Sequence, residues 1–182
     1  MLDDAIAMSN ISGYLRTERK PYNIDYESVT TYGYLQKGPV ILLGAFDNDW
    51  TIHITRAMRY YFTENQDGYQ WIADQKSPEA RLGMHLKDSP RPQDFARVPR
   101  QDYALVGRLI DTETKQPIIV VAGISASSTL AASKYITDPK LLSDFLKSAP
   151  RNWQNKNIEL VLSTDVIQNQ PGPAHVMASA FW

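Results

Sequence analysis

Two acids flank an amide in Asp47-Asn48-Asp49, between Gly44 and Trp50. Carboxylates this close repel each other unless they are solvated, cap backbone N–H groups or hold a donor. Such a pair suits the hydroxyls of a sugar or ribose, an amine, or a metal ion. An indole beside it can form one wall for a sugar or a cation. A second turn, Gly123-Ile124-Ser125-Ala126-Ser127-Ser128-Thr129, carries hydroxyls and no charged side chain. If a helix starts there, its unpaired N–H groups and partial positive charge suit a phosphate, sulfate or carboxylate. The candidate ligand-binding residues are therefore Gly44, Asp47, Asn48, Asp49, Trp50, Gly123, Ser125, Ser127, Ser128 and Thr129. Together they would take a ligand with hydroxyls at one end and negative charge at the other.

A plainer account competes with this one. Gly44 and Gly123 can serve only to turn the chain, with Asp and Ser as ordinary helix caps. Neither turn matches the dinucleotide G-x-G-x-x-G or the P-loop pattern. Gly123-Ile124-Ser125-Ala126-Ser127 comes near the G-x-S-x-G nucleophile elbow, and Ser125, Asp165 and His175 fall in hydrolase order. The closing glycine is Ser127, however, and too little chain follows for a hydrolase layout. Asp47-Asn48-Asp49 also fits the three-residue D-x-D of metal-dependent glycosyltransferases. His53, His85 and His175 stand apart from one another, and there is no cysteine. No metal site and no cofactor is expected.

The elements that must position these turns can be read from hydrophobic spacing. Ala7, Met8, Ile11, Tyr14 and Leu15 give a helix from Asp4 to about Arg19, stopped by Pro21. Tyr22–Tyr26 reads as a short strand and Ser28–Leu35 as a short helix capped by Ser28. Val40–Leu43 is a continuous apolar run of buried-strand type. Trp50 to Phe62 reads as a helix, weakened by β-branched Thr51, Ile52, Ile54 and Thr55. Tyr69–Ala73 reads as a strand, and Lys76 to Arg100 as an irregular flap or surface loop. Tyr103–Ile110 and Pro117–Ala122 form a hairpin. Thr129–Ile136 and Pro139–Leu146 follow as helices. Ile158–Ile167 and His175–Trp182 are strands joined across residues 169–173. This alternation predicts an α/β fold: one domain over residues 1–182, with a mixed β-sheet flanked by helices on both faces and Rossmann-like layers.

The chain has 182 residues, 43% hydrophobic and 21% charged, with a net charge of −1. That is ordinary globular composition, and it gives no basic excess for nucleic acid or a membrane surface. No apolar stretch approaches the roughly 20 residues of a membrane span. The opening Met1-Leu2-Asp3-Asp4 reads as an initiator methionine placed on a helix already under way, as in a domain excised from a longer protein.

Three blocks stand out together: "GPVILLGAFDNDWT…TRAMRYYF", "DYALVGRLIDTETKQPIIVVAGISASSTLAASKYITD" and "GPAHVMASAFW". They resemble a family of uncharacterised bacterial proteins with G-P-x-x-L-I-G-A-F-x-N-x-W-T, D-Y-A-x-V and A-G-I-x-x-x-G-T-x-A-A blocks. Ser128 departs from that pattern, standing where a glycine usually precedes the threonine. The resemblance implies a domain C-terminal to other modules in membrane-associated or regulator-like proteins, and favours the extracytoplasmic side. It implies no catalytic residues. The resulting expectation is a small-molecule sensing or binding module of a larger protein. Its partner would be a small polar or anionic ligand, with the membrane reached only through parts outside this sequence. An enzyme acting on nucleotides or glycosides through the acidic turn is one alternative. A structural or dimerisation domain without ligand is the other, and a homodimer is a further partner to expect.

Overall fold

A computed structural model describes residues 2–86 and 100–182. Its frame is a five-stranded sheet of β1 (Val40–Leu43), β5 (Arg100–Ile110), β6 (Pro117–Gly123), β7 (Ile158–Ile167) and β8 (Gln170–Phe181). Their order across the sheet is β1-β6-β5-β7-β8. β1 and β6 are parallel, in register from Val40 with Ile118 to Leu43 with Val121, and every other neighbour is antiparallel. A second sheet is an antiparallel meander of β2 (Tyr60–Glu64), β3 (Tyr69–Asp74) and β4 (Ser77–Leu86). The helices are α1 (Leu2–Thr17), α2 (Tyr32–Leu35), α3 (Asp49–Thr55), α4 (Ala126–Ile136) and α5 (Pro139–Leu146). The α/β class and the mixed sheet are as expected.

Strand alternation sorts the five-stranded sheet into two cores. Leu42, Leu105, Ile118, Val120, Ala122 and Val161 face α3 and the three-stranded sheet, where they meet Ile54, Met58, Phe62 and Ile72. Ala104, Val106, Val121, Leu160 and Leu162 face the other way, onto Ile11 of α1 and Ala132 and Tyr135 of α4, with Leu142 and Phe145 of α5 beside them. Helices therefore cover one face. The opposite face carries a second sheet and one short helix, because the stretch expected to extend α3 instead forms a strand.

That difference begins at Thr55. The β-branched run Thr51, Ile52, Ile54 and Thr55 shortens α3 to seven residues. Tyr60, Tyr61 and Phe62 then enter β2, paired with Asp74, Ala73 and Ile72. Arg59 closes the corner with a two-pronged bond to Asp74 at 2.9 and 2.8 Å. Residues 22–26 form no strand. The next helical piece splits into a 3-10 turn, Glu27–Val29, and α2, capped by Thr31 rather than Ser28. The irregular stretch expected from Lys76 to Arg100 contains β4 up to Leu86 and ends at the first residue of β5, and residues 87–99 lie outside the described residues. Residues 170–173 are part of β8, and the connection is the two-residue turn Gln168-Asn169 with positive φ at both positions. That is the turn geometry that matches strand twist in a tight hairpin.

Candidate functional site

Both glycine turns follow the C-terminal ends of neighbouring parallel strands, as their shared strand–glycine–helix pattern predicts. Gly44 donates its N–H to the carbonyl of Val121, two residues before Gly123, at 3.2 Å. From this edge the chain diverges. α3 packs on the face with the second sheet, and α4 packs on the face with α1. A pair of parallel strands whose following helices leave to opposite faces opens a crevice at its carboxyl end.

In the acidic turn the residues divide their roles. Asn48 caps α3: its side-chain oxygen accepts from the N–H of Trp50 at 3.1 Å and of Thr51 at 3.3 Å. Its amide nitrogen donates to the carbonyl of Leu43 at 3.2 Å. Asn48 is thus fully employed in holding the turn. Asp47 and Asp49 are exposed, and neither has a hydrogen-bond or ion-pair partner among the described residues. Gly44 has φ +88°, and a β-carbon there would lie 2.6 Å from Oδ1 of Asp47. The absent side chain is the reason the Asp47 carboxylate can fold back over the turn. Trp50 is half-buried against the core, its indole N–H donating to the carbonyl of Thr30 at 3.1 Å, and it meets His53 edge to face. His53 is held by Glu113 at 3.1 Å.

The serine turn is built differently from the open anion cradle its composition suggests. Ser127, Ser128 and Thr129 are 2%, 0% and 2% exposed. Ser128 forms a capping box with Ser125, accepting the Ser125 N–H at 3.2 Å. The hydroxyl of Thr129 accepts the N–H of Gly123 at 2.9 Å. Ser127 donates to Asp3 at 3.0 Å, and Ser125 donates to the buried carboxylate of Asp102 on β5. Two carboxylates from elsewhere in the chain therefore converge on the first turn of α4. They supply the negative charge that the helix dipole favours, and so oppose a second anion. The turn carries no charged side chain of its own, but the fold sets two carboxylates beside it. Asp102 heads the D-Y-A-x-V block, but nothing local links it to the serine turn: it lies 23 residues from Ser125 and is brought to it by the β5–β6 pairing. Asp102 is also held by its neighbour's N–H and lies 3.7 Å from Arg100.

The hydrolase order Ser125, Asp165, His175 is not assembled. Ser125 bonds Asp102, and His175 lies exposed on β8 opposite Ser163. Among the described residues no three His, Asp or Glu side chains gather as a metal site. None of their helices is long and apolar enough to cross a membrane. An open, shallow groove lies along α1, bordered by Met8, Gly13, Arg16, Tyr22 and Ile24. Arg16 and Tyr22 border it, and Arg19 and Lys20 line the depression beside it. Comparison with protein-family models, with curated proteins and with solved structures finds no match to this chain.

Proposed function

We propose that this chain is a small-molecule sensing or binding module of a larger regulatory or membrane-associated protein, and that its ligand enters the crevice between the Gly44 and Gly123 turns. Membership of the bacterial family that the three blocks resemble, and a Rossmann-like use of the β1–α3 and β6–α4 units, belong to the same proposal. The observation that carries it is the pair of exposed carboxylates, Asp47 and Asp49, which have no partner among the described residues and stand at the point where α3 and α4 diverge. The cap is Asn48, so neither acid is needed to hold the helix start. Asp102 and Asp3 already face the start of α4. The ligand chemistry is therefore weighted toward hydroxyls and cationic nitrogen, and away from phosphate. Trp50 supplies one wall.

A thermal-shift screen tests this reading with monosaccharides, ribonucleosides, short polyamines and their phosphorylated counterparts. A shift with an unphosphorylated compound, lost in Asp47→Ala/Asp49→Ala while the free variant melts like wild type, supports it. No shift across the panel contradicts it. A structural or dimerisation module without ligand is the second reading, favoured by the internal bonding of every hydroxyl in the serine turn. An enzyme acting on nucleotides or glycosides would use the same two carboxylates, and turnover of a shifting compound would distinguish it from a sensor.

A further inference from the structure

We infer that the C-terminal strand pairs edge to edge, antiparallel, with the same strand of a second copy of this chain. Among the described residues β8 is the outermost strand of the five-stranded sheet, bonded on one side to β7. Its first part is poorly suited to further pairing: Pro171 and Pro173 lack N–H groups, and the register shifts between Val161 and Leu162, at Met177. From Ala178 to Trp182 the ladder is regular, with no proline and no charge.

The direction of its free groups follows from one pair. Asn157 and Trp182 exchange both backbone bonds, at 2.9 and 3.3 Å. In an antiparallel ladder such pairs alternate with pairs whose N–H and C=O groups point away. Phe181 and Ser179 therefore present theirs to the open edge. Native proteins usually blunt such an edge with charge, proline or brevity. The opposite edge of the sheet has the last two: β1 is four residues long and follows Pro39. Charges interrupt the edges of the second sheet, at Glu64 on β2 and at Glu79 and Arg81 on β4.

The occupant is a second copy because this segment is complementary to itself. A dyad through Ala180 sets Ser179 opposite Phe181 of the other copy and Ala180 opposite Ala180. The two chains then exchange about four main-chain hydrogen bonds. No like charges meet, and the side chains nearest the dyad are small. Exposed Met177 and Trp182, at 55% and 44%, flank the contact and gain cover. The symmetric arrangement is closed, leaving no outer β8 edge for further growth. This inference does not rest on the ligand proposal.

Light-scattering mass measured from about 1 to about 300 µM tests it, on wild type, Ser179→Lys and Ser179→Pro. The lysine variant sets like charges near the dyad, and the proline variant removes an outward N–H. The expected result is a wild-type mass rising from one chain toward two, with at least about tenfold slower amide exchange at Ser179 and Phe181 in the concentrated sample. Both variants, melting like wild type when dilute, should stay at one chain. If the proline variant misfolds, the lysine variant alone decides. A single-chain wild type at every concentration, or a dimer that survives Ser179→Lys, would overturn the inference. Absence of ligand binding would leave it standing.

Discussion

Glu159 on β7 accepts the backbone N–H of Tyr60, the first residue of β2, at 2.9 Å. One carboxyl oxygen thereby ties the three-stranded sheet to the five-stranded sheet. The side chain is fully buried, and its other oxygen has no partner among the described residues. Burial pushes this carboxyl from 4.5 up to about 8, against the opposing pull of the Tyr60 and Arg59 N–H groups and the Arg59 charge. Asp74, held by Arg59, adds to the upward push.

The sign of the pH dependence follows. The unfolded carboxyl loses its proton near 4.5, whereas the folded one keeps it to about 8. Between those values each rise in pH shifts the balance toward the unfolded state, and stability falls by about 1 kcal/mol per unit for this group alone. Above the folded value the loss levels off. Glu159→Gln keeps an acceptor for Tyr60 and removes the titration. It should flatten the fall in urea-unfolding free energy between pH 5 and 8 relative to wild type. Equal slopes in the two proteins would contradict this assignment.

The two glycines that open the candidate site should differ in their tolerance of alanine. A β-carbon at Gly123 would lie 2.3 Å from both the Ser128 hydroxyl oxygen and the Thr129 backbone nitrogen. The helix start cannot yield without breaking its cap, so Gly123→Ala should cost more than about 3 kcal/mol. At Gly44 the clash is with the movable Asp47 carboxylate, and the main cost is positive φ, about 1–2 kcal/mol. Chemical denaturation of the two variants measures the difference. Equal losses would show that the α4 cap yields more easily than its geometry implies.

The end of β8 should stabilise the fold out of proportion to its length. Phe181 stacks on Phe145 of α5 with ring centroids 5.9 Å apart and planes within 7°. Trp182 closes the ladder with Asn157. A chain ending at Ala178 loses both, and burial of one aromatic contributes roughly 2–3 kcal/mol. Its melting temperature, taken on dilute protein to keep it monomeric, should drop by several degrees. An unchanged midpoint would contradict this role.

What the sequence made legible was chiefly local. The apolar runs Val40–Leu43 and Pro117–Ala122, each ending in glycine before a polar turn, place both turns at one edge of the sheet, and the fold agrees. Pro139 marks the start of α5 where it occurs, and the structure adds Asp138 as its cap. Helical spacing misleads at Tyr60–Phe62, because tertiary pairing with β3 overrides a periodicity that β-branched residues had already weakened. Pro78 and its charged neighbours hide β4, an edge strand on which proline is tolerated. The serine turn is legible in the sequence, but its closure is not. Asp3 and Asp102 reach it from 124 and 23 residues away, and only the assembled fold brings them there.

The most direct measurement of the central claim is a titration followed by amide nitrogen–proton correlation spectra, with monosaccharides, ribonucleosides and short polyamines as probes. The account predicts that at least one compound moves the resonances of Gly44 to Thr51 together with those of Gly123 to Ser127. The same compound should leave Asp47→Ala/Asp49→Ala unchanged. Spectra unaffected by every probe, or changes confined to the α1 groove between Met8 and Ile24, would contradict it.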